Sequence, residues 1–182
     1  IVELPVGVAA EIFQQVVLPA IQLQRHRTAL CLAMYAGLRR EEICHLRWEH
    51  IDFHNEVIIL PSGEAFETKS GRGRKIPLYP PLRHDLEATK HASPFVVGSG
   101  KAVPDGSAIS HAWLRVLRAL NSSRTAAEQI PEIRLHDLRG SFCTELLQRL
   151  QPAIVQKIMG HADIQTTMRH YAPLLRHRSR GC

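Results

Sequence analysis

The chain has 182 residues, of which 45% are hydrophobic and 22% are charged. This length suits one well-buried domain, and the composition excludes wholesale disorder. Lysine and arginine number 23 against 17 for aspartate and glutamate, which gives a formal net charge of +6 with neutral histidines. The positive charge favours a polyanionic partner, with a merely basic enzyme as the alternative at this stage.

Cysteine usage and apolar runs bear on location and cofactors. The four cysteines form neither a CxxC pair nor a zinc-like spacing with the histidines, which indicates reduced, mostly buried thiols. No stretch has the length of a membrane span and no signal peptide opens the chain, so we expect a cytoplasmic protein without a membrane partner. Because no HxH, HExxH or clustered carboxylate motif occurs, the sequence predicts no metal and no cofactor. The start at Ile1 rather than Met indicates a fragment or a processed product.

The first quarter of the chain has the pattern of helices. Apolar residues at helical spacing predict one helix over Val8 to Ile21 and a second, nearly all-apolar helix over Thr28 to Ala36. Gly37 then interrupts the pattern. The following sequence LRREEICHLRW has apolar residues three apart with charges between them, which predicts an amphipathic helix that starts close to Arg39.

The character of the sequence changes between residues 51 and 78. Val57 to Leu60 is β-branched and Lys75 to Leu78 is short and apolar, so we expect a small antiparallel sheet with a glycine turn. Basic residues lie in or beside this turn: Lys69, Arg72, Arg74 and Lys75. Such a turn can reach into a groove, although a solvated loop is the plainer interpretation.

The remainder of the chain is predicted to be mostly helical. Helices are expected over Leu82 to His91, Ser107 to Leu120, Arg134 to Leu150, Pro152 to Gly160 and from Ile164 onwards. The third of these helices, Arg134 to Leu150, has one apolar face formed by four residues at four-residue steps: Leu138, Phe142, Leu146 and Leu150. Gly160 fits a helix stop, and Asp163 can cap the final helix.

Several residues could carry chemistry. His136 and Arg139 are three apart in LHDLRGSF, which places both on the helix face away from Leu138 and Phe142. Taken alone, this pair has a solvated basic face as its plainer interpretation. Arg39 stands at a predicted helix start, where free N–H groups already favour an anion, and its plainer role is a surface residue paired with a nearby glutamate.

The region after Gly160 holds two histidines and a tyrosine. His161 precedes the cap of the final helix, where a backbone turn can aim its side chain at a site. Tyr171 continues the apolar spacing of this helix and has a buried core position as its alternative interpretation. His170 lies about 100° further round the helix and cannot share the direction of Tyr171.

These motifs, in this order, resemble the tyrosine recombinase (phage integrase) family. Arg39 stands in AGLRREEICHLRWEHID and Lys69 in TKSGRGRKIPL, and HDLR, MGHADIQTT and Tyr171 follow. The resemblance spans Val8 to Leu175 and implies that residues 1–182 form one catalytic domain, without the DNA-clamping N-terminal domain of the family. The implied fold is α+β, mainly α-helical with a small antiparallel three-stranded sheet.

The resemblance also implies a function. It suggests a site-specific DNA recombinase or integrase that cleaves and rejoins DNA through a covalent 3′-phosphotyrosine, without metal or ATP. The implied catalytic residues are Arg39, Lys69, His136, Arg139, His161 and Tyr171. Arg72, Arg74 and Lys75 are expected to contact DNA. Double-stranded DNA is the expected partner, and the full-length protein is expected to form a homo-oligomer, a tetramer on paired sites.

One departure and two alternatives accompany this interpretation. Tyr171 stands ten residues after His161, whereas many members use nine, which would land on His170. Because only a tyrosine supplies a phenol, the nucleophile is assigned to Tyr171. A non-catalytic DNA-binding module would keep the basic face without the chemistry, and a type IB topoisomerase would share the chemistry.

Overall fold

A computed structural model of the chain describes residues 9–62 and 73–170. Three predicted site residues, Lys69, Arg72 and Tyr171, lie outside these ranges. The helices are α1 (Ala10–Ile12), continued by a π-helical turn (Phe13–Val17) and a 3₁₀ turn (Leu18–Ala20), α2 (Gln24–Ala36), α3 (Arg40–His45), a 3₁₀ turn (Trp48–His50), α4 (Pro80–Thr89), α5 (Gly106–Asn121), α6 (Leu135–Arg149), α7 (Pro152–Met159) and α8 (residues 164–170). The mainly helical architecture predicted from the sequence is confirmed.

Three short antiparallel strands complete the fold. They are β1 (Ile51–Asp52), β2 (Val57–Leu60) and β3 (Arg74–Pro77), in the order β1-β2-β3. Ile58 pairs with Ile76, and both side chains are fully buried. Successive side chains of a strand point to opposite faces. Arg74 therefore shares the buried face of β3 with Ile76, whereas Lys75 lies on the exposed face.

Helix α2 forms the centre of the core. Its residues from Thr28 to Met34 are all buried, and it packs against α4 on one side and α6 on another. Helix α6 also packs against α7, through a second cluster that includes Phe142 and Met159. The predicted apolar face of α6 is confirmed by the burial of Leu138, Phe142 and Leu146. In the described ranges, no helix has both the length and the apolar character needed to cross a membrane.

Two helices end at glycines in the left-handed conformation. Gly37 ends α2 with a φ of 60° and Gly160 ends α7 with a φ of 63°. This conformation is easily adopted by glycine and strains other residues. The end of α7 at Gly160 confirms the helix stop predicted there. The helix predicted after Gly37 begins at Arg40 and already ends at His45, because Leu46 adopts an extended backbone.

Gly37→Ala should destabilise the protein. A Cβ at this position would stand 2.6 Å from Cδ1 of Phe142 and 3.2 Å from Sδ of Met159, in addition to the strain of a positive φ. We expect a loss of about 2 kcal/mol in the free energy of unfolding, measured by urea denaturation. Gly100→Ala is the control, because no described heavy atom beyond the chain neighbours lies within 4 Å of its Cβ position. Equal stability of the two variants would contradict the role given to Gly37.

Candidate active site

Three guanidinium groups from distant parts of the chain converge on the end of α7. The carbonyls of residues 158–160 accept one hydrogen bond each from them. Arg74 Nε donates to the first at 3.0 Å, Arg139 Nη2 to the second, and Arg39 Nη2 to the third at 3.4 Å. The last carbonyls of a helix have no partner within the helix and carry the negative end of its dipole. The end of α7 is therefore a natural place to gather positive side chains.

Glu42 is the carboxylate that holds two of these arginines together. It is 3% exposed, and its two oxygens accept from Arg74 Nη1 at 2.7 Å and from Arg74 Nη2 at 2.8 Å. Arg39 adds a side-chain bond of 2.9 Å and a backbone N–H bond of 2.8 Å. Burial alone raises the pKa of Glu42, but the hydrogen bonds and charge of Arg74, followed by those of Arg39, outweigh it and lower the pKa to about 2. Glu42 is therefore ionised throughout the physiological range.

The spacing of Glu42 explains how Arg39 is fixed locally. Arg39 is the N-terminal cap of α3, and Glu42 is the third residue of that helix. A carboxylate at this position can reach back to the backbone N–H of the cap, which is half of a capping box. The sequence LRREEI thus fixes the backbone of Arg39, and the tertiary fold adds the contacts of its side chain.

Arg139 lies in the interior, which excludes for this residue the solvated basic face that was the alternative interpretation of the His136 and Arg139 pair. It is 4% exposed and donates to the carbonyl of Gly37 as well as to that of Met159. Helix α6 is covered on two sides, by α2 and by α7, and Arg139 lies where the ends of both neighbours present carbonyls. Burial, and then the charges of Arg39 and Arg74, lower the pKa of Arg139 to about 9, so it remains a cation at neutral pH.

The arginine cluster has more positive than negative charge. Three guanidinium groups carry three positive charges, and Glu42 is the one carboxylate that they bond in the described part of the chain. An anion bound beside the cluster would compensate the excess charge. Arg139 also lines a cavity of about 800 Å³, together with His136, Gly140, His161 and His170.

The histidines of this cavity are held neutral by their surroundings. His161 Nδ1 lies 2.9 Å from the hydroxyl of Thr167, a fully buried residue of α8. Burial, followed by the charges of Arg139 and Arg39, lowers the pKa of His161 from 6.5 to about 4. Burial and the charge of Arg139 also lower the pKa of His136. Neutral imidazoles can accept a proton or donate a hydrogen bond.

His170 is a site residue that sequence reasoning set aside. Its ring lies over Gly140, where a Cβ would stand 3.2 Å from Cε1 of His170. Its Nδ1 is buried and has no hydrogen-bond partner among the described residues. Burial and the charges of Arg139 and His136 lower its pKa. The signal that could have found it was the nine-residue interval from His161, which ends on His170 rather than on Tyr171.

The structure thus gathers some of the predicted residues and separates others. Arg39 and Arg139 bond the same helix end, and His136 and His161 line the cavity next to it. Arg74 belongs to the buried cluster rather than to an exposed hairpin tip, so it is not free to contact DNA as predicted. Lys75 is exposed. Lys69, Arg72 and Tyr171 remain predictions, since they lie outside the described ranges.

Residues 9–62 and 73–170 contain no candidate metal site. No group of three or more histidine, cysteine, aspartate or glutamate side chains there is arranged to hold a metal ion. The cysteines of this part, Cys31, Cys44 and Cys143, are buried and unbridged, and burial raises the pKa of each thiol. Their thiols are therefore protonated and unreactive.

Comparison with known proteins decides the family. The sequence model described as "Phage integrase family" matches residues 17–178. The chain belongs to this family. It is 30% identical over 149 residues to tyrosine recombinase XerA of Pyrococcus horikoshii, covering 79% of this chain and 48% of that protein. The shufflon-specific DNA recombinase of Escherichia coli is 28% identical over 144 residues, 76% of this chain and 32% of the relative. The chain thus spans about half the length of XerA and about a third of the length of the shufflon-specific recombinase.

Solved structures of integrases share the fold. The Tn1549 transposon integrase in complex with transposon right end DNA has a TM-score of 0.74 and 27% identity, covering 93% of this chain and 62% of that one. A lambda integrase dimer bound to a COC′ core site has a TM-score of 0.69, with 90% and 58% covered, and at 18% identity it shows the fold alone. These structures and the family match confirm the resemblance drawn from the sequence motifs.

The pH dependence of stability should report the environment of His161. Its pKa of about 4 in the folded state lies below the ordinary value of 6.5, so the unfolded chain binds this proton more readily. The contribution of neutral His161 to the free energy of unfolding is complete above pH 6.5 and is lost as the pH falls towards 4. We expect His161→Gln to reduce the loss of unfolding free energy between pH 7 and pH 4 by about 1 to 2 kcal/mol, after allowance for solvent screening.

Urea denaturation at pH 7, 5.5 and 4 measures this difference. His111→Gln, at an exposed position of α5, controls for the loss of a histidine as such. The assignment fails if His161→Gln and His111→Gln follow the same curve as the unmodified protein.

Proposed function

We propose that the chain is the catalytic domain of a site-specific DNA recombinase or integrase. It cleaves a DNA strand through attack of Tyr171 on a backbone phosphate and rejoins strands from the resulting 3′-phosphotyrosine. The observation that carries the proposal is the excess positive charge of the arginine cluster, next to a cavity lined by neutral histidines. The similarity to XerA and to DNA-bound integrase structures supports it.

The main chemical task is to stabilise charge on the phosphate. A phosphodiester is already anionic, and nucleophilic attack adds charge to its non-bridging oxygens. Arg39 and Arg139 each use two N–H groups for the bonds described above, and a guanidinium has five. The remaining donors, held in place before the reaction, act like an oxyanion hole. His161 donates a further hydrogen bond to the phosphate.

Proton transfer completes the cleavage step. A tyrosine phenol has a pKa near ~10, so it must lose its proton as the oxygen attacks phosphorus. The neutral His136 accepts this proton. As the new O–P bond forms, the bond from phosphorus to the DNA 5′ oxygen breaks, and Lys69 protonates the leaving oxygen. Because the phosphotyrosine retains the bond energy, a second 5′-hydroxyl can attack it and reseal the strand without ATP.

We also propose a substrate, an oligomeric state and a cellular location for the protein. Double-stranded DNA is the substrate, and Arg72 and the exposed Lys75 contribute to its binding. Residues 1–182 act as a single catalytic domain. The full-length protein assembles as a tetramer on paired sites and is cytoplasmic. The similar Tn1549 transposon integrase is in complex with transposon right end DNA, which supports a DNA partner.

Trapping the covalent intermediate tests the function. The probe is a pool of nicked duplexes with randomised sequence, in which the short fragment released by cleavage diffuses away. We expect the unmodified protein to form a DNA adduct that resists denaturation and maps to Tyr171, and Tyr171→Phe to form none while binding the same DNA. If both proteins bind DNA and neither forms an adduct, the chain is a non-catalytic DNA-binding module.

Arg139→Ala should separate cleavage from binding. One charge among many contributes little to DNA affinity, whereas the Arg139 guanidinium meets the charge that develops in the transition state. We expect the single-turnover rate of adduct formation to fall by about 100-fold or more, with DNA affinity within a few-fold of the original. Gel-shift titration and adduct formation at saturating DNA measure the two quantities. Equal losses in both would remove Arg139 from the transition state.

A further inference from the structure

Arg74 has a position that fits neither a DNA contact nor a simple core residue. The alternation of β3 turns it inward with Ile76, and its side chain is 5% exposed. A buried guanidinium is costly unless its donors are bonded. Arg74 uses three of them, two on Glu42 and one on the carbonyl of Ile158.

We infer that Arg74 is a positioning residue for the phosphate site: it occupies Glu42, so that Arg39 keeps donors for a phosphate, and it supports the turn at Gly160, so that His161 is held towards the cavity. This inference rests on the proposed function, because the site it positions is the proposed cleavage site. It replaces the direct DNA contact that the sequence suggested for Arg74.

Arg74 and Arg39 compete for the carboxylate of Glu42. Oε1 of Glu42 accepts from Nη1 of both Arg74 and Arg39, at 2.7 Å and 2.9 Å. Oε2 accepts from Nη2 of Arg74 and from the backbone N–H of Arg39. Because Arg74 fills the two-pronged position, the side chain of Arg39 makes only one bond to the carboxylate. Without Arg74, Arg39 could close onto Glu42 as a bidentate pair and lose donors for a phosphate.

Arg74 also supports the turn at Gly160. A Cβ on Gly160 would stand 2.8 Å from Cδ and 3.1 Å from Nε of Arg74, so this side chain packs directly under the turn. Arg74 Nε also fixes the carbonyl of Ile158, two residues before Gly160. His161 leaves this turn towards the cavity. Displacement of Arg74 would therefore move the imidazole as well as Arg39.

Lysine cannot replace arginine in this position. An ammonium group is a point donor on a flexible stem, whereas the planar guanidinium bonds two carboxylate oxygens and a carbonyl at fixed angles. Arg74→Lys keeps the charge and removes the geometry. Arg83 offers a matched control, because it also makes two bonds to carboxylate oxygens, one on Glu56 at 2.6 Å and one on Glu87 at 2.9 Å, but lies on the surface of α4.

The experiment compares Arg74→Lys with Arg83→Lys in three measurements. We expect Arg74→Lys to lower the single-turnover rate of adduct formation at saturating DNA by about 100-fold, the cost of a small misplacement. Its affinity for DNA should stay within about three-fold, because the net charge is unchanged. The pKa of His161, followed by NMR, should move, whereas Arg83→Lys should match the original protein in all three measurements.

A double variant guards against simple misfolding. Removing one partner of a buried ion pair is destabilising, whereas replacing both leaves neither without the other. Glu42→Gln combined with Arg74→Gln leaves the net charge unchanged, and circular dichroism checks that the fold is kept. It should bind DNA and still cleave about 100-fold more slowly, since Arg39 has lost its anchor.

The outcomes separate this inference from the proposed function. An original protein that forms the adduct, with Arg74→Lys or the double variant cleaving equally fast, overturns the positioning role alone. Weaker DNA binding by Arg74→Lys with an unchanged cleavage rate also overturns it, and restores the direct DNA contact. An original protein that forms no adduct overturns the proposed function and this inference together.

Discussion

The site depends on the hydrogen bonding between three arginines and the C-terminal end of α7. Burying several guanidinium groups together is unfavourable unless negative partners offset their repulsion and desolvation. Three successive carbonyls at a helix end and the carboxylate of Glu42 provide this compensation. The compensation is incomplete, because carbonyls carry only partial charges. The cluster is thus stable in the free protein and still attracts an anion.

The incomplete compensation links the fold to the chemistry. Burial, followed by the positive charge of Arg139, lowers the pKa of His136, His161 and His170, since a further cation beside Arg139 is disfavoured. A neutral imidazole can then accept the proton of an attacking hydroxyl. In the proposed reaction, the buried charge of the arginines would therefore stabilise the phosphate and, together with burial, favour the neutral imidazole that accepts a proton.

Two glycines place the carbonyls that this arrangement needs. The left-handed conformations of Gly37 and Gly160 stop α2 and α7 at the site, and the carbonyl of each glycine accepts from an arginine. Helix ends that continued further would hide these carbonyls in helical hydrogen bonds. The helix stops are thus part of the binding site as well as of the fold. Gly160 also leaves room for the side chain of Arg74, which packs beneath the turn before His161.

The sequence alone determined the elements and the family. Apolar spacing in Leu138, Phe142 and Leu146 predicted α6 and its buried face, and Gly160 predicted the stop of α7, because these signals are local. Only the tertiary structure decided that Arg139 and Arg74 are buried. Periodicity states which residues share a face, but not whether a second neighbour covers the opposite face, and α6 lies against both α2 and α7. The cluster joins residues 39, 74 and 139, whose proximity arises from packing and not from their spacing in the chain.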